Sequence, residues 1–496
     1  MKKIVFASWI IAASAASAIA ADLPAQKYIK APAMAGQPYD WTGFYIGANA
    51  GVGLGRNLTQ DSINNNLSPP GFFTPQSYLG PLGAIGGGQI GYNWQVGKVV
   101  LGLETDIQAA GMTDNQTCLH PGFIGVSCPP AGPGLQYHQK VDWFGTARLR
   151  AGLATGPVLS YLTGGFAYGG VSTTVTDDTF GFGPFASTVS GTRTGWTVGS
   201  GVEASLGGNW TAKVEYLYLN LGTQAGNYVS VLTGLGTSAR AYSSDIREHV
   251  FRVGLNYRVG GVRPFSEPVA NWSGGYFGGN LGSAVARDVT NNTRVGVGTP
   301  NSDNFNLMPK GILGGVQAGY NWQAASWVFG LEVDIQGSTQ RDDKACQSGC
   351  TSGVNLGVNS DTYDQRLSWL GTARGRIGYS LGGTLFYATG GAAFGGVKTG
   401  IVETAQGFPT IAASFNETRL GWTVGGGIES RFEFFDLLGK NWTSKTEYLY
   451  VDLGTSNGGY TNVPLLFAHV VSSSVTEHIF RTGLNYHFNA PVIARY

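Results

Sequence analysis

The sequence predicts an all-β chain: a transmembrane antiparallel up-and-down β-barrel, duplicated as two eight-stranded barrels in tandem, with one sixteen-stranded barrel as the alternative. Three observations predict it. First, the stretch Val99 to Gln108, V-V-L-G-L-E-T-D-I-Q, returns at Trp327 to Gln336 as W-V-F-G-L-E-V-D-I-Q. In an extended strand, Val99, Leu101, Leu103, Thr105 and Ile107 share one face while Gly102, Glu104, Asp106 and Gln108 share the other. Second, no run of about 18 uncharged apolar residues follows the N-terminal segment, so only a closed barrel could span a bilayer. Third, 78 Gly, 23 Tyr and 25 Phe with 12% charged residues make a glycine- and aromatic-rich, charge-poor chain, unlike a disordered or collagenous one.

In chain order, Lys2 and Lys3, the apolar run Ile4 to Ile11 and the small residues up to Ala20 read as a secretory signal peptide, residues 1–20. Residues 21–40, with Pro24, Pro32 and Pro38, read as an extended periplasmic lead. From Trp41 the chain repeats with a period of roughly 230 residues, the size of a domain. Copy one occupies 41–259 and copy two 272–488; residues 260–271 are a linker and 489–496 a C-terminal tail. The linker's Pro264 and Pro268 cannot donate to a sheet ladder, which favours two barrels over one. A formal net charge of +1 offers no basic stripe for nucleic acid.

Strands in copy one are expected near 43–56, 84–94, 99–110, 140–153, 158–172, 192–205, 209–221 and 246–259. Tight turns follow the second, fourth and sixth, and long polar loops follow the others. Short turns on the periplasmic side and long loops outside match an outer-membrane barrel. Ten of the 12 Trp fall into repeat pairs at strand ends. Trp41, Trp94, Trp210, Trp272, Trp322 and Trp442 are expected in a periplasmic girdle, and Trp143, Trp196, Trp369 and Trp422 in an outer one.

The charges match across strands. Glu104, Asp106, Arg148, Arg150, Arg193, Glu203, Lys213, Glu215, Glu248 and Arg252 project to one face. Copy two repeats them as Glu332, Asp334, Arg374, Arg376, Arg419, Glu429, Lys445, Glu447, Glu477 and Arg481. A balanced set on one face is the expected filling of a narrow barrel interior, because an unpaired charge there costs several kcal/mol. In a wider water-filled pore the same residues would tune ion selectivity.

The motifs W-T-G-F-Y-I-G at Trp41, G-Y-N-W-Q at Gly91, G-T-A-R-L-R at Gly145, G-W-T-V-G at Gly195 and G-L-N-Y at Gly254 resemble the small outer-membrane β-barrel family of alpha-proteobacteria. Members of that family are known as outer membrane immunogenic or porin-family proteins. The resemblance implies an eight-stranded barrel of the OmpA/OmpX type in the Gram-negative outer membrane, surface-exposed and without catalytic residues. Implied partners are outer-membrane lipid, lipopolysaccharide and the barrel-assembly machinery; no cofactor, metal or nucleic acid is implied, and the extracellular ligand is unknown. The chain departs from the family pattern in being doubled and in continuing past Phe488, so both Phe488 and Tyr496 are candidate assembly signals.

Cys118 with Cys128, and Cys346 with Cys350, occupy the same loop of each copy and read as local disulfides in an oxidising periplasm. A zinc site using His120 or His138 is the competing reading, but copy two's loop lacks histidine. Ser244, Asp245 and His249 raise a hydrolase reading, weakened by Ser474 standing where Asp245 does. Three function classes follow: a non-catalytic structural and surface-antigen barrel as the leading one, a diffusion porin for small hydrophilic solutes, and an outer-membrane hydrolase.

Overall fold

The computed structural model describes residues 39–64, 77–117, 135–177, 185–232, 236–260, 270–296, 301–351, 359–404, 409–431, 439–462 and 467–489. The signal peptide, most of the lead, linker residues 261–269 and tail residues 490–496 lie outside them.

Copy one forms β1 (Gly43–Gly55), β2 (Asn57–Asn64), β3 (Ser77–Leu79), β4 (Leu82–Val96), β5 (Val99–Thr117), β6 (Leu135–Thr155), β7 (Val158–Asp177), β8 (Phe185–Gly207), β9 (Trp210–Leu232) and β10 (Gly236–Val259). Copy two forms β11 (Gly274–Ala286), β12 (Asp288–Gly296), β13 (Asn301–Leu307), β14 (Lys310–Ala324), β15 (Trp327–Thr351), β16 (Asn359–Leu381), β17 (Thr384–Thr404), β18 (Ile411–Arg431), β19 (Trp442–Asn462) and β20 (Phe467–His487). Each copy is its own antiparallel sheet and closes on itself: β1 pairs β10 from Phe44↔Val259 to Gly55↔Glu248, and β11 pairs β20. The ten segments make eight staves, since β1 runs into β2 past Arg56 and β3 into β4 past Gly80 and Pro81. These are two closed eight-stave barrels, and the sixteen-stranded alternative falls because the two sheets are separate.

Several strands outrun their expected ends on the loop side. β8 and β10, for example, begin at Phe185 and Gly236 rather than near 192 and 246, because hairpin partners keep pairing beyond the girdle. The short turns sit where expected. Gly97 and Gly156 take φ of 62° and 61°, which glycine adopts without steric cost; at the position equivalent to Gly97, Ala325 takes φ 53°.

Side chains alternate as the opening motif requires. Leu101, Leu103 and Ile107 face outward, each about half exposed, while Glu104, Asp106 and Gln108 are buried. A soluble sheet would not leave a band of aliphatic side chains bare; a bilayer covers it. The same band appears on β15 through Phe329, Leu331, Val333 and Ile335.

The copies also touch, and the contacts are reciprocal. Arg56 of copy one reaches Asp342 of copy two at 3.2 Å, and Arg287 of copy two reaches Asp114 of copy one at 2.6 Å. Arg56 and Arg287 fill the same break between first and second segments, and both aspartates lie on the outer part of the third stave. Lower down, Phe251 meets Tyr448 with ring centroids 5.1 Å apart, and Tyr216 stacks on Phe480 at 5.7 Å. Such exchange of equivalent residues is the mark of a pseudo-two-fold interface.

Candidate functional site in the barrel interiors

The interior of copy one is built on a cluster of four carboxylates and four cations. Arg148 on β6 is its centre: it binds Glu104, Asp106 at 2.9 Å and Glu215 at 2.9 Å, and all four side chains are fully buried. Lys213 reaches both oxygens of Glu104 at 2.9 Å. Arg252 joins Asp106 at 3.0 Å to Glu215 at 2.7 Å. Arg150 turns toward the periplasmic end, donating to Glu203 at 2.7 Å, while its guanidinium lies 4.0 Å over the Tyr161 ring. Neutral donors take remaining lone pairs: Tyr45 to Glu104 and Tyr161 to Glu215, both at 2.9 Å, and Asn256 to Glu203 at 2.8 Å. Buried charge is tolerable only when paired and hydrogen-bonded in this way.

Copy two repeats the arrangement. Arg374 binds Glu332, Asp334 at 3.0 Å and Glu447 at 3.2 Å. Lys445 reaches Glu332 at 2.8 Å, Arg481 bridges Asp334 and Glu447, and Arg376 binds Glu429 at 2.9 Å. His487 adds a contact to Glu429 at 3.2 Å with no counterpart in copy one, where Arg258 stands at the same position on the last strand.

Four residues expected on this face stand outside the clusters. Arg193 and Arg419 lie beyond the last pairs of β8 with β9 and β18 with β19, which are Trp196↔Asn220 and Trp422↔Asp452. There the strands part, so Arg193 donates to the Thr223 carbonyl and Arg419 pairs with Glu417, both half-buried near the outer rim. Glu248 and Glu477 are buried but sit a layer higher: Glu248 accepts from Asn57 at 3.1 Å, and Glu477 faces the Gln340 amide.

Sequence reasoning missed what separates that layer from the clusters. Met112, Val141, Phe144, Leu217, Leu219 and Val250 form a buried apolar group inside copy one; Leu313, Leu367, Leu370, Leu449 and Ile479 do so in copy two. The signal was present, since Leu217 and Leu219 share the strand face of Glu215, and Val250 that of Arg252. The periplasmic girdle expected from the sequence also loses two of its members. Trp41 and Trp272 are 1% and 0% exposed, so they are not girdle residues. Trp41 folds over the mouth with Tyr39 and donates to the Gly156 carbonyl at 3.2 Å; Trp272 donates to Ser380 at 2.9 Å. Trp94, Trp210 and Trp322 do stand exposed at periplasmic strand ends, and Trp327 joins them; Trp196 and Trp422 are exposed too, but stand mid-strand because β8 and β18 run on past them, and Trp143, Trp369 and Trp442 are half-buried.

The hydrolase trio does not converge. Ser244 points inward to Thr59 and Gln139, whereas Asp245 binds Thr223 and Arg247, and His249 bonds the Tyr216 hydroxyl at 2.8 Å on the face toward the other copy. Among the described residues no group of three His, Cys, Asp or Glu could hold a metal ion. Cys118, Cys128 and His120 lie outside the described residues, as do the side chains of Cys346 and Cys350.

Comparison with known proteins gives a consistent result. The family described as outer membrane protein beta-barrel domain matches residues 11–258 and again 264–488. A 31 kDa outer-membrane immunogenic protein of Brucella melitensis is 36% identical over 267 residues, 52% of this chain and 100% of the relative. A 25 kDa outer-membrane immunogenic protein of the same organism is 28% identical over 260 residues, 52% of this chain and 98% of the relative. The solved toluene transporter TodX of Pseudomonas putida aligns over 90% of both chains with 9% identity, and its TM-score of 0.25 gives no weight to the likeness.

Proposed function

The chain belongs to the outer membrane protein β-barrel domain family of the outer membrane, and from that premise we propose that it is a non-catalytic pair of closed barrels with a structural and surface-antigen role. The observation that carries this reading is the filling of both interiors: a charge cluster, an apolar layer above it and an indole across the periplasmic mouth. Eight-strand interiors hold side chains, and this layering supports a closed interior over a channel. The loops are the part offered to the outside, and lipid, lipopolysaccharide and the barrel-assembly machinery are the partners. Two relatives bear the name immunogenic protein, which is in keeping with display at the surface. A local disulfide between Cys118 and Cys128 would brace the loop after β5, and one between Cys346 and Cys350 would brace the outer end of β15, which carries both cysteines and where pairing with β16 is irregular; a non-reducing digest should return each as one bridged peptide, and free thiols would count against them. The test of the closed reading is liposome swelling: proteoliposomes should swell in small sugars no faster than protein-free vesicles, and swelling comparable to a general porin would make it a diffusion channel.

A further inference from the structure

Two grooves run between the copies, one on each side of the aromatic contacts. The first, about 650 Å³, is walled by Ala151, Leu153, Ser160 and Leu162 of copy one and by Leu281 and Ile312 of copy two. The second, about 560 Å³, is walled by Ala50 and Val253 of copy one and by Trp327, Ile377 and Ala388 of copy two. Tyr216 and Phe480 border the first, their repeat equivalents Tyr448 and Phe251 the second. The duplication has therefore built one groove twice.

We propose that each groove binds an acyl chain of a glycerophospholipid from the periplasmic leaflet. Its walls continue the lipid-facing band without a break, with Leu162 69% and Val253 59% exposed. Water does not fill an apolar cleft opening into hydrocarbon, and an empty one would forfeit packing on every wall. Hydrocarbon is the occupant that this solvent supplies. The volumes lie within the range of about 300–1,000 Å³ typical of small-ligand sites. Small residues (Ala50, Ala151, Ser160, Ala388) stand where a lipid-facing strand elsewhere carries Leu, Ile or Phe, so the cleft is open at the backbone. Each groove reaches the periplasmic headgroup level on one wall, where Leu153 and Ser160 flank the short turn at Gly156 and Pro157 and Trp327 follows the one at Ala325; on the other wall it rises along Leu281 and Ile312, or Ala50, toward the outer ends of β11, β14 and β1, so the leaflet is selected by the groove's polar end. Beside the first groove at that end, Thr155, Thr384, Ser430 and Arg431 line a small polar notch at headgroup level.

Native mass spectrometry of the full-length protein in mild detergent tests this, with delipidated protein then offered phosphatidylethanolamine. Two phospholipids per chain are expected. Ala151→Trp with Ser160→Trp should halve the number, as should Ala50→Trp with Ala388→Trp, while Ser160→Ala should leave it unchanged. If the first pair does not give a heat-modifiable folded species, Leu281→Trp fills the same groove from the opposite wall and should likewise halve it. Folded wild type retaining no phospholipid, retaining lipopolysaccharide instead, or retaining two phospholipids in the filled variants would overturn the proposal.

Discussion

Arg148→Ala should be the most damaging single truncation in copy one. One guanidinium serves three carboxylates, Glu104, Asp106 and Glu215, at a site where every side chain is fully buried. Truncation changes a cluster of four acids and four cations into four acids and three, leaving one negative charge in an interior sealed above by apolar side chains. Breaking a buried ion pair by removing one partner costs about 3–5 kcal/mol. Arg193→Ala, outside the cluster and half-buried, should cost no more than about 1 kcal/mol, as surface pairs do. The assay is urea unfolding in detergent micelles followed by the heat-modifiable shift on gels. Combining Arg148→Ala with Glu104→Gln should recover part of the loss, since the surplus charge goes, with a coupling of about 0.5–3 kcal/mol. Equal, small effects of Arg148→Ala and Arg193→Ala, with no recovery in the double variant, would refute the charge-balance reasoning.

Trp41→Ala should destabilise copy one by about 3–5 kcal/mol, as for other fully buried indoles, measured by the same unfolding assay; a loss below about 1 kcal/mol would return Trp41 to the girdle. Gly91→Val should hinder folding in refolding-yield measurements, because a Cβ there would strike the Tyr45 ring and the Leu103 carbonyl, and wild-type yield would contradict that contact. Arg56→Ala with Arg287→Ala should uncouple the copies, so that one unfolding transition becomes two; an unchanged single transition would show that the reciprocal pairs do not join them. Residues 39–260 and 270–489, refolded separately, should each give a β-rich, heat-modifiable species, since each sheet closes on itself; failure of both would contradict independent closure.

The charge clusters were legible because a strand alternates with period two and because the chain states its pattern twice: Glu104 and Asp106 recur as Glu332 and Asp334, and Arg148 and Arg150 as Arg374 and Arg376. The lipid face was legible for the same reason. Alternation says nothing, however, about how far along the axis a charge set extends. Leu217 and Leu219 lie on the inward face yet read as ordinary strand residues, so the apolar layer went unseen and Glu248 was placed with cations it does not meet. Trp41 was misread because position at a strand end does not distinguish a ring turned to lipid from one folded over the mouth. The segments β2, β3, β12 and β13 lie in Asn- and Pro-rich stretches whose propensity argues for loop, and pairing of β2 and β12 with the long outer ends of β10 and β20, and of β3 and β13 with β2 and β12, overrides it. Arg56 and Asp342 are separated by 286 positions, and no local pattern joins them.

Single-channel recording in planar bilayers tests the central claim most directly, that each barrel is closed and filled by its own side chains. Purified full-length protein, verified as folded by its heat-modifiable shift, should insert without steady conductance steps. Arg148→Ala should behave alike, because the apolar layer and Trp41 remain in place. Reproducible, long-lived steps in wild type that change ion preference in Arg148→Ala would contradict the account: the charged residues would then line a conducting path.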